Sequence, residues 1–343
     1  MLRIVLLLIT VVAIGSVGCG DLPKATQEST ELRGWYPHEG GLLKYRVEIR
    51  FGMEPKSTMP DGWHFGRVSA VATDSSGDVY VFQRSKSAAP IVVFDKDGKY
   101  LRSWGRNLNF GNEHGLRVDS EDNVWITDNG NHQVMKFTKE GELLLTLGIR
   151  GESGEDDKHF YRPADIAFAP DGSIYVADGY GNARVVKFSK EGKYTHAWGR
   201  HGTSESEFNI VHSVAVDSKG TVYVSDRENN RIQIFDADGK FLRMWTHLGA
   251  TQNIFITPDD EMWIITHRNN IENITYDTLA GRIMKIDMTT GEILGAMESP
   301  GHWIHVTPEK LIFIGSLSGN VFRWYPGWME GTADSEEGLK SAH

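Results

Sequence analysis

From residue 42 onward the chain changes into short runs in which apolar and polar positions alternate. Tyr45, Val47 and Ile49 alternate with Arg46, Glu48 and Arg50, and paired runs then recur along the chain. A period of two marks a half-buried β-strand. The recurring unit reads VSAVATDSSGDVYVFQ with PIVVFDKDGKYLRSWG, HGLRVDSEDNVWITD with QVMKFTKEGELLLTLG, ADIAFAPDGSIYVAD with RVVKFSKEGKYTHAWG, and HSVAVDSKGTVYVSD with RIQIFDADGKFLRMW. Each copy predicts four short strands joined by D-x-x-G or K-E-G turns, which favour tight antiparallel hairpins. Asp128, Asp178 and Asp226 close equivalent runs, at spacings of 50 and 48 residues. Four strands repeated at that length are the signature of a β-propeller. A fifth copy diverges, with the insertion HRNNIENITYDTLAG between its halves, and a sixth, WIHVTPEKLIFIGS with NVFRWYP, shows only three strands. The lone strand within 42–51 is expected to supply the fourth. The predicted architecture is therefore an all-β, six-bladed propeller over residues 42–327, its N-terminal strand closing the last blade and removing an open edge.

The flanks follow other rules. Met1-Leu2-Arg3 gives a positive start, residues 4–15 an apolar run, and Ser16-Val17-Gly18 a run of modest residues before Cys19. This pattern predicts a targeting segment too short to span a bilayer. Cleavage before Cys19 resembles the bacterial lipoprotein pattern, although Ser16 stands where Leu is usual, so plain secretion is the alternative. Either way the protein is expected to be exported to the cell envelope, with membrane attachment only through a lipid on Cys19. Residues 19–41 read as a polar tether and 328–343 as a disordered tail. Cys19 is the only cysteine in the 343 residues, so no internal disulfide and no thiolate metal cluster is possible. A net charge of −10 without a basic stripe argues against a nucleic-acid partner. Closed propellers commonly act alone, so a monomer is expected.

Aligning the copies brings candidate chemistry into view. His114, His212 and His302 each begin a copy, and they do so only in copies two, four and six, while Ser69, Ala164 and Gln252 hold that position in the others. In a six-fold ring, histidines on alternate blades face one axis about 120° apart, as a trigonal metal site requires. Three imidazoles with an open fourth position describe a catalytic rather than a closed structural zinc site. Zinc is the expected occupant; iron and cobalt also accept imidazoles. The start of each first strand and the end of each second strand lie on one face. Arg84, Tyr180, Arg227 and His267, just past second strands, are therefore expected at the same mouth. The fifth-copy loop around 269–280 lies there too, with His267, Arg268 and Tyr276 as candidate substrate or lid residues. Plainer readings exist: Arg227 can pair with Asp226 or Glu228, and Tyr180 can simply pack on the next blade.

Segments such as VYVSDRENNRIQIFDADGKFLRMW resemble the NHL-repeat propellers. Within them the set Phe82-Gln83-Arg84, His114-Gly115-Leu116, Asp178 through Arg184, Val211-His212-Ser213, Asp226 through Asn229 and His302 resembles the peptidyl-α-hydroxyglycine α-amidating lyases over roughly residues 68–326. The resemblance implies cleavage of a carbinolamide to an amide and glyoxylate. It implies zinc on His114, His212 and His302, Tyr180 as base, and Arg84 and Arg227 holding the substrate carboxylate and keeping Tyr180 poised. It also implies a peptide C-terminal or small-molecule substrate. Two departures stand out. Trp303 replaces an acidic residue associated with a structural calcium, which puts Ca2+ in doubt, and Gly181 stands where animal enzymes have a disulfide cysteine, a loss expected to loosen the site. No segment resembles a copper-dependent hydroxylating domain, so any hydroxyglycine precursor is expected from another protein. The other readings are a non-catalytic binding scaffold of the cell envelope and a metal-dependent lyase or hydrolase acting on another small hydroxylated substrate.

Overall fold

The computed structural model describes residues 45–49, 51–52, 59–266, 281–299 and 301–326. The targeting run, Cys19, the tether, the tail, and the loop bearing His267, Arg268 and Tyr276 lie outside the described residues.

Six four-stranded antiparallel sheets make up the described fold. Blade 1 runs Val68–Thr73, Val79–Gln83, Ile91–Phe94 and Tyr100–Trp104. Blade 2 runs Glu113–Val118, Val124–Asp128, Gln133–Phe137 and Leu143–Leu147. Blade 3 is formed by Asp165–Phe168, Ile174–Asp178, Arg184–Phe188 and Tyr194–Trp198, and blade 4 by Val211–Val216, Val222–Asp226, Arg231–Phe235 and Phe241–Trp245. Blade 5 comprises Thr251–Ile256, Met262–Thr266, Arg282–Ile286 and Ile293–Glu298. Blade 6 has Trp303–Val306, Ile312–Ser316 and Asn320–Pro326. Its outer strand is Tyr45–Ile49, which pairs antiparallel with Asn320–Pro326 from Tyr45↔Pro326 to Ile49↔Phe322. The first strand of each blade packs against the first strands of its two neighbours, and blade 6 returns to blade 1, so the ring is closed.

The turn aspartates explain why the hairpins recur. In the blade-1 turn, Asp74 accepts the N–H groups of Ser76 and Asp78 at 3.0 Å and the Tyr80 hydroxyl at 3.0 Å. Asp119 repeats this with Glu121, Asn123 and the Trp125 indole, and Asp217 with Lys219, Thr221 and Tyr223. One carboxylate thus closes the turn and ties down the aromatic of the following strand. Between the blades, apolar side chains of facing sheets form the core, with Phe51, Phe94 and Phe313 joining the closing segment to blades 1 and 6 at ring distances of 5.8 and 5.3 Å. A feature the sequence pattern did not show is a short parallel pair, Arg200–His201 with Glu207–Phe208, between blades 3 and 4.

Candidate metal centre at the channel mouth

Strand pairing puts the site together. Glu113↔Asp128 and Val211↔Asp226 bring the start of each first strand beside the end of its second. In both pairs the register shifts where the histidine sits, between Glu113 and Leu116 and between Val211 and Ser213. An extra residue in one strand turns its side chain out of the regular alternation, and here it turns His114 and His212 toward the axis. His302 directly precedes its strand, its N–H bonded to Gly315 O at 2.8 Å.

The three imidazoles meet. Ring centroids are 4.8 Å apart for His114 and His302, 4.9 Å for His114 and His212, and 5.1 Å for His212 and His302. One nitrogen from each lies within 4.8 Å of the other two, and all three residues are buried. Each Nδ1 faces a backbone carbonyl of the next blade: His114 that of Ala164 at 2.8 Å, His212 that of Gln252, and His302 that of Ser69 at 2.7 Å. A carbonyl only accepts, so Nδ1 carries the proton and Nε2 keeps its lone pair. Ser69, Ala164 and Gln252 are the residues at the histidine position in the odd-numbered copies. The alternation in the sequence is thus a pairing in space, each histidine oriented by the blade that lacks one. Burial, first, and neighbouring positive or titrating groups push His114 and His212 well below the usual histidine range, so both are neutral. Three pre-oriented imidazoles could hold a metal ion, and this donor set fits zinc.

Gly115 makes the arrangement possible at blade 2. A Cβ there would lie 2.7 Å from Ala164 O and 2.9 Å from both Thr127 Oγ1 and the Trp303 ring.

Tyr180 reaches the same point. Its Oη lies 2.8 Å from His212 Nε2 and 3.2 Å from His114 Nε2, and Arg227 Nη1 donates to it at 3.2 Å. Arg227 also donates through Nε to Glu228 at 2.8 Å, while Asp226 is occupied by Arg231 at 2.6 Å. Arg227 thus pairs with Glu228, not Asp226, while its Nη1 contacts the Tyr180 oxygen. Arg84 is fixed on the opposite side, Nε donating to Ser69 Oγ and Glu113 O at 2.8 Å each. Burial draws its pKa below the ordinary arginine value. The Tyr180 loop is held from below by Asp178, which accepts Arg184 Nε at 2.9 Å, Asn182 Nδ2 at 2.7 Å and Tyr161 N–H at 2.8 Å. Gly179 lets this loop approach blade 4, since a Cβ there would lie 2.1 Å from Val211 O. At Gly181 the Tyr161 ring takes the space, 2.2 Å from where a Cβ would be. Ring packing on a bare glycine, together with the Gly181 N–H to Tyr161 O bond at 2.9 Å, stands where a disulfide was implied, so this loop is tied rather than loosened.

Below the histidines, the level where calcium was in doubt is filled by the protein. Trp303 is fully buried, and the Arg117 guanidinium lies 4.7 Å from its ring. Arg117 grips Asp165 with two bonds of 3.0 and 2.7 Å. An indole and a guanidinium do not fit calcium, and the chain supplies its own cation at this level. Neither this pair nor Arg162, an exposed arginine beside Tyr180, was singled out from the sequence. Arg162 carried no motif, and Arg117 and Asp165 lie in strands whose inward face is known only once the ring closes.

The repeat signature decides the family. The NHL repeat model matches residues 114–137, 160–188 and 208–235, within blades 2, 3 and 4. Human NHL repeat-containing protein 3 is 35% identical over 243 residues, covering 66% of this chain and 68% of that protein. The chain belongs to the NHL-repeat family. A second relative of this NHL-repeat protein, from Caenorhabditis elegans, is named "Probable peptidyl-alpha-hydroxyglycine alpha-amidating lyase" and is 30% identical over 290 residues, 74% of this chain and 80% of that one. The rat peptidylglycine alpha-amidating monooxygenase is 36% identical over 254 residues, which is 64% of this chain and only a quarter (25%) of that protein. Among solved structures, a gluconolactonase of Xanthomonas campestris superposes with a TM-score of 0.58 at 13% identity, over 82% of this chain and 90% of that one, a likeness of fold alone. The relatives thus include named lyases, and this chain brings together three buried histidines that could hold a metal ion.

Proposed function

We propose that this NHL-repeat protein is a metal-dependent lyase of the peptidyl-α-hydroxyglycine α-amidating kind. The observation that carries the reading is Tyr180 Oη, 2.8 and 3.2 Å from two histidine nitrogens and 3.2 Å from an arginine Nη. A scaffold that used the histidines only to stiffen a channel has no need for an ionisable hydroxyl aimed at their lone pairs.

His114, His212 and His302 would hold the ion. Bound zinc supplies Lewis acidity toward the substrate hydroxyl. The reaction converts R–CO–NH–CH(OH)–COO⁻ into R–CO–NH₂ and glyoxylate. In its ionised form the Tyr180 oxygen would accept the hydroxyl proton, the C–O bond becomes a carbonyl as the C–N bond breaks, and the same oxygen returns that proton to the departing amide nitrogen. Arg227 gives the Tyr180 oxygen a cationic donor throughout. Arg84, fixed by its Nε, offers its two Nη groups to the substrate carboxylate in the planar geometry that suits it.

The test is metal content of the purified propeller together with glyoxylate release from N-acetyl-α-hydroxyglycine. The expected result is about one zinc per chain and turnover that falls about 100-fold or more in Tyr180→Phe with metal content unchanged. Bound zinc without any turnover would leave the metal centre standing and remove the amidating-lyase reading.

A further inference from the structure

Arg162 is the unexplained cation of the mouth. It lies on the rim of blade 3, exposed, with its backbone in the left-handed region at φ 65°. Its carbonyl accepts the Tyr180 N–H at 3.3 Å and an Asn129 Nδ2 bond at 3.2 Å, and its N–H donates to His132 Nδ1 at 3.2 Å. A non-glycine residue held at positive φ by three bonds is built in, since that conformation is otherwise unfavourable. The side chain is aimed as well. Nε donates to Asn129 Oδ1 at 3.1 Å, and the guanidinium carbon sits 5.5 Å from the Tyr180 ring centroid, while Arg227 stands 5.4 Å from the same ring.

What the guanidinium lacks is an anion. Among the described residues no carboxylate lies within 4.0 Å of Arg162, whereas Arg227 has Glu228. Arg67 occupies the matching place in blade 1, two residues before Ser69 as Arg162 is two before Ala164, and it too is exposed. Arg227 donates to the Tyr180 oxygen and Arg84 interacts with it electrostatically, so cations gather at this hydroxyl in a chain of net charge −10. A single α-hydroxyglycine carboxylate is served by Arg84 on blade 1. Arg162 belongs to blade 3, two blades round the ring, and is more exposed than Arg84.

We propose that Arg162 is a specificity-determining residue, which selects substrates bearing a second anionic group on the acyl side of the scissile C–N bond. The inference rests on the lyase reading for the position of that bond. The substrate class is then an acidic N-acyl-α-hydroxyglycine, its two negative charges divided between Arg84 and Arg162, with the chemistry at Tyr180 unchanged.

The experiment compares N-succinyl- with N-acetyl-α-hydroxyglycine in the wild type, Arg162→Gln and Arg162→Lys. An exposed charge pair is worth up to about fivefold in affinity. The wild type is expected to show a KM about fivefold lower for the succinyl compound. Arg162→Gln removes that preference, raising the succinyl KM more than the acetyl KM, and Arg162→Lys restores part of it. Equal KM values in the wild type, or losses of equal size on both compounds in Arg162→Gln, would overturn the proposal. If the wild type turns over neither compound, the lyase reading fails by itself. Calorimetric binding of glutarate against butyrate then decides on Arg162: a preference for glutarate that is lost in Arg162→Gln supports it, and equal binding refutes it.

Discussion

At the scale of single residues, the site depends on small groups as much as on ligands. The histidine triad works because each Nδ1 is locked by a carbonyl, and His114 keeps its carbonyl only because residue 115 has no Cβ. Gly115→Ala is therefore expected to displace Ala164 O and misaim His114. Loss of such an orienting contact typically weakens metal binding about 10- to 100-fold, and overpacking costs about 1–3 kcal/mol of stability. Chelator competition measures the first and urea unfolding the second; unchanged zinc affinity would show that the carbonyl is not what aims the ring. His114, His212 and His302 were readable as candidates because they occupy repeat-equivalent positions, and Arg84, Tyr180 and Arg227 because they lie one or two residues past second strands and match the lyase resemblance. Arg162 was not, since its importance lies in a backbone conformation and a ring contact that no spacing reveals.

At the scale of elements, one blade is completed by strands from the two ends of the propeller. The Tyr45–Ile49 strand covers the edge of Asn320–Pro326, and Phe51 continues into the core beside Phe94 and Phe313. Net backbone hydrogen bonds contribute about 0.5–1.5 kcal/mol each, so deleting residues 45–49 is expected to destabilise the fold by about 2–5 kcal/mol. The same deletion leaves Asn320–Pro326 as the uncovered outer edge of blade 6. Urea midpoints of the two forms check this, and a loss below about 0.5 kcal/mol would mean that the closing strand adds nothing. The short helical turn Arg227–Asn229 and the loop around Tyr180 show the same economy at a smaller scale. Asp226 and Asp178, each buried at the end of a second strand, collect an arginine and an asparagine from the following residues and so fix the arginine and tyrosine between them.

At the scale of the whole molecule, a polar network crosses the channel beneath the three histidines. Asp165 accepts from Arg117, from Ser213 Oγ at 2.6 Å and from Asn253 Nδ2 at 3.2 Å, while Asn253 Oδ1 accepts the Ile304 N–H at 3.2 Å, so blades 2 to 6 are tied through one carboxylate and one amide. Lower still, His305 faces Thr73 Oγ1 at 2.8 Å and the Phe255 ring at 4.6 Å. Burial, with Arg117 adding to it, lowers its pKa to about 3. The folded form thus keeps His305 neutral where the unfolded chain protonates it near the ordinary value of about 6.5. Stability is full above that value and declines as pH falls from about 6.5 toward 3, by at most about 1.4 kcal/mol per pH unit from this residue. Urea unfolding of wild type and His305→Gln across that range is expected to show a shallower slope in the variant; parallel slopes would remove His305 as the cause.

The sequence by itself determined the strands, the number of blades, the closing strand and the alternation of histidines, because period-two patterning, turn aspartates and a repeat length are local properties that survive in one dimension. Only the tertiary structure decided what those residues face. Closing the ring brings Ala164 O to His114, Tyr180 to two imidazoles and Arg117 onto Trp303, contacts between blades whose partners lie from 32 to more than 180 residues apart. Nothing in the spacing of a chain fixes such distances until every blade has taken its place around the axis.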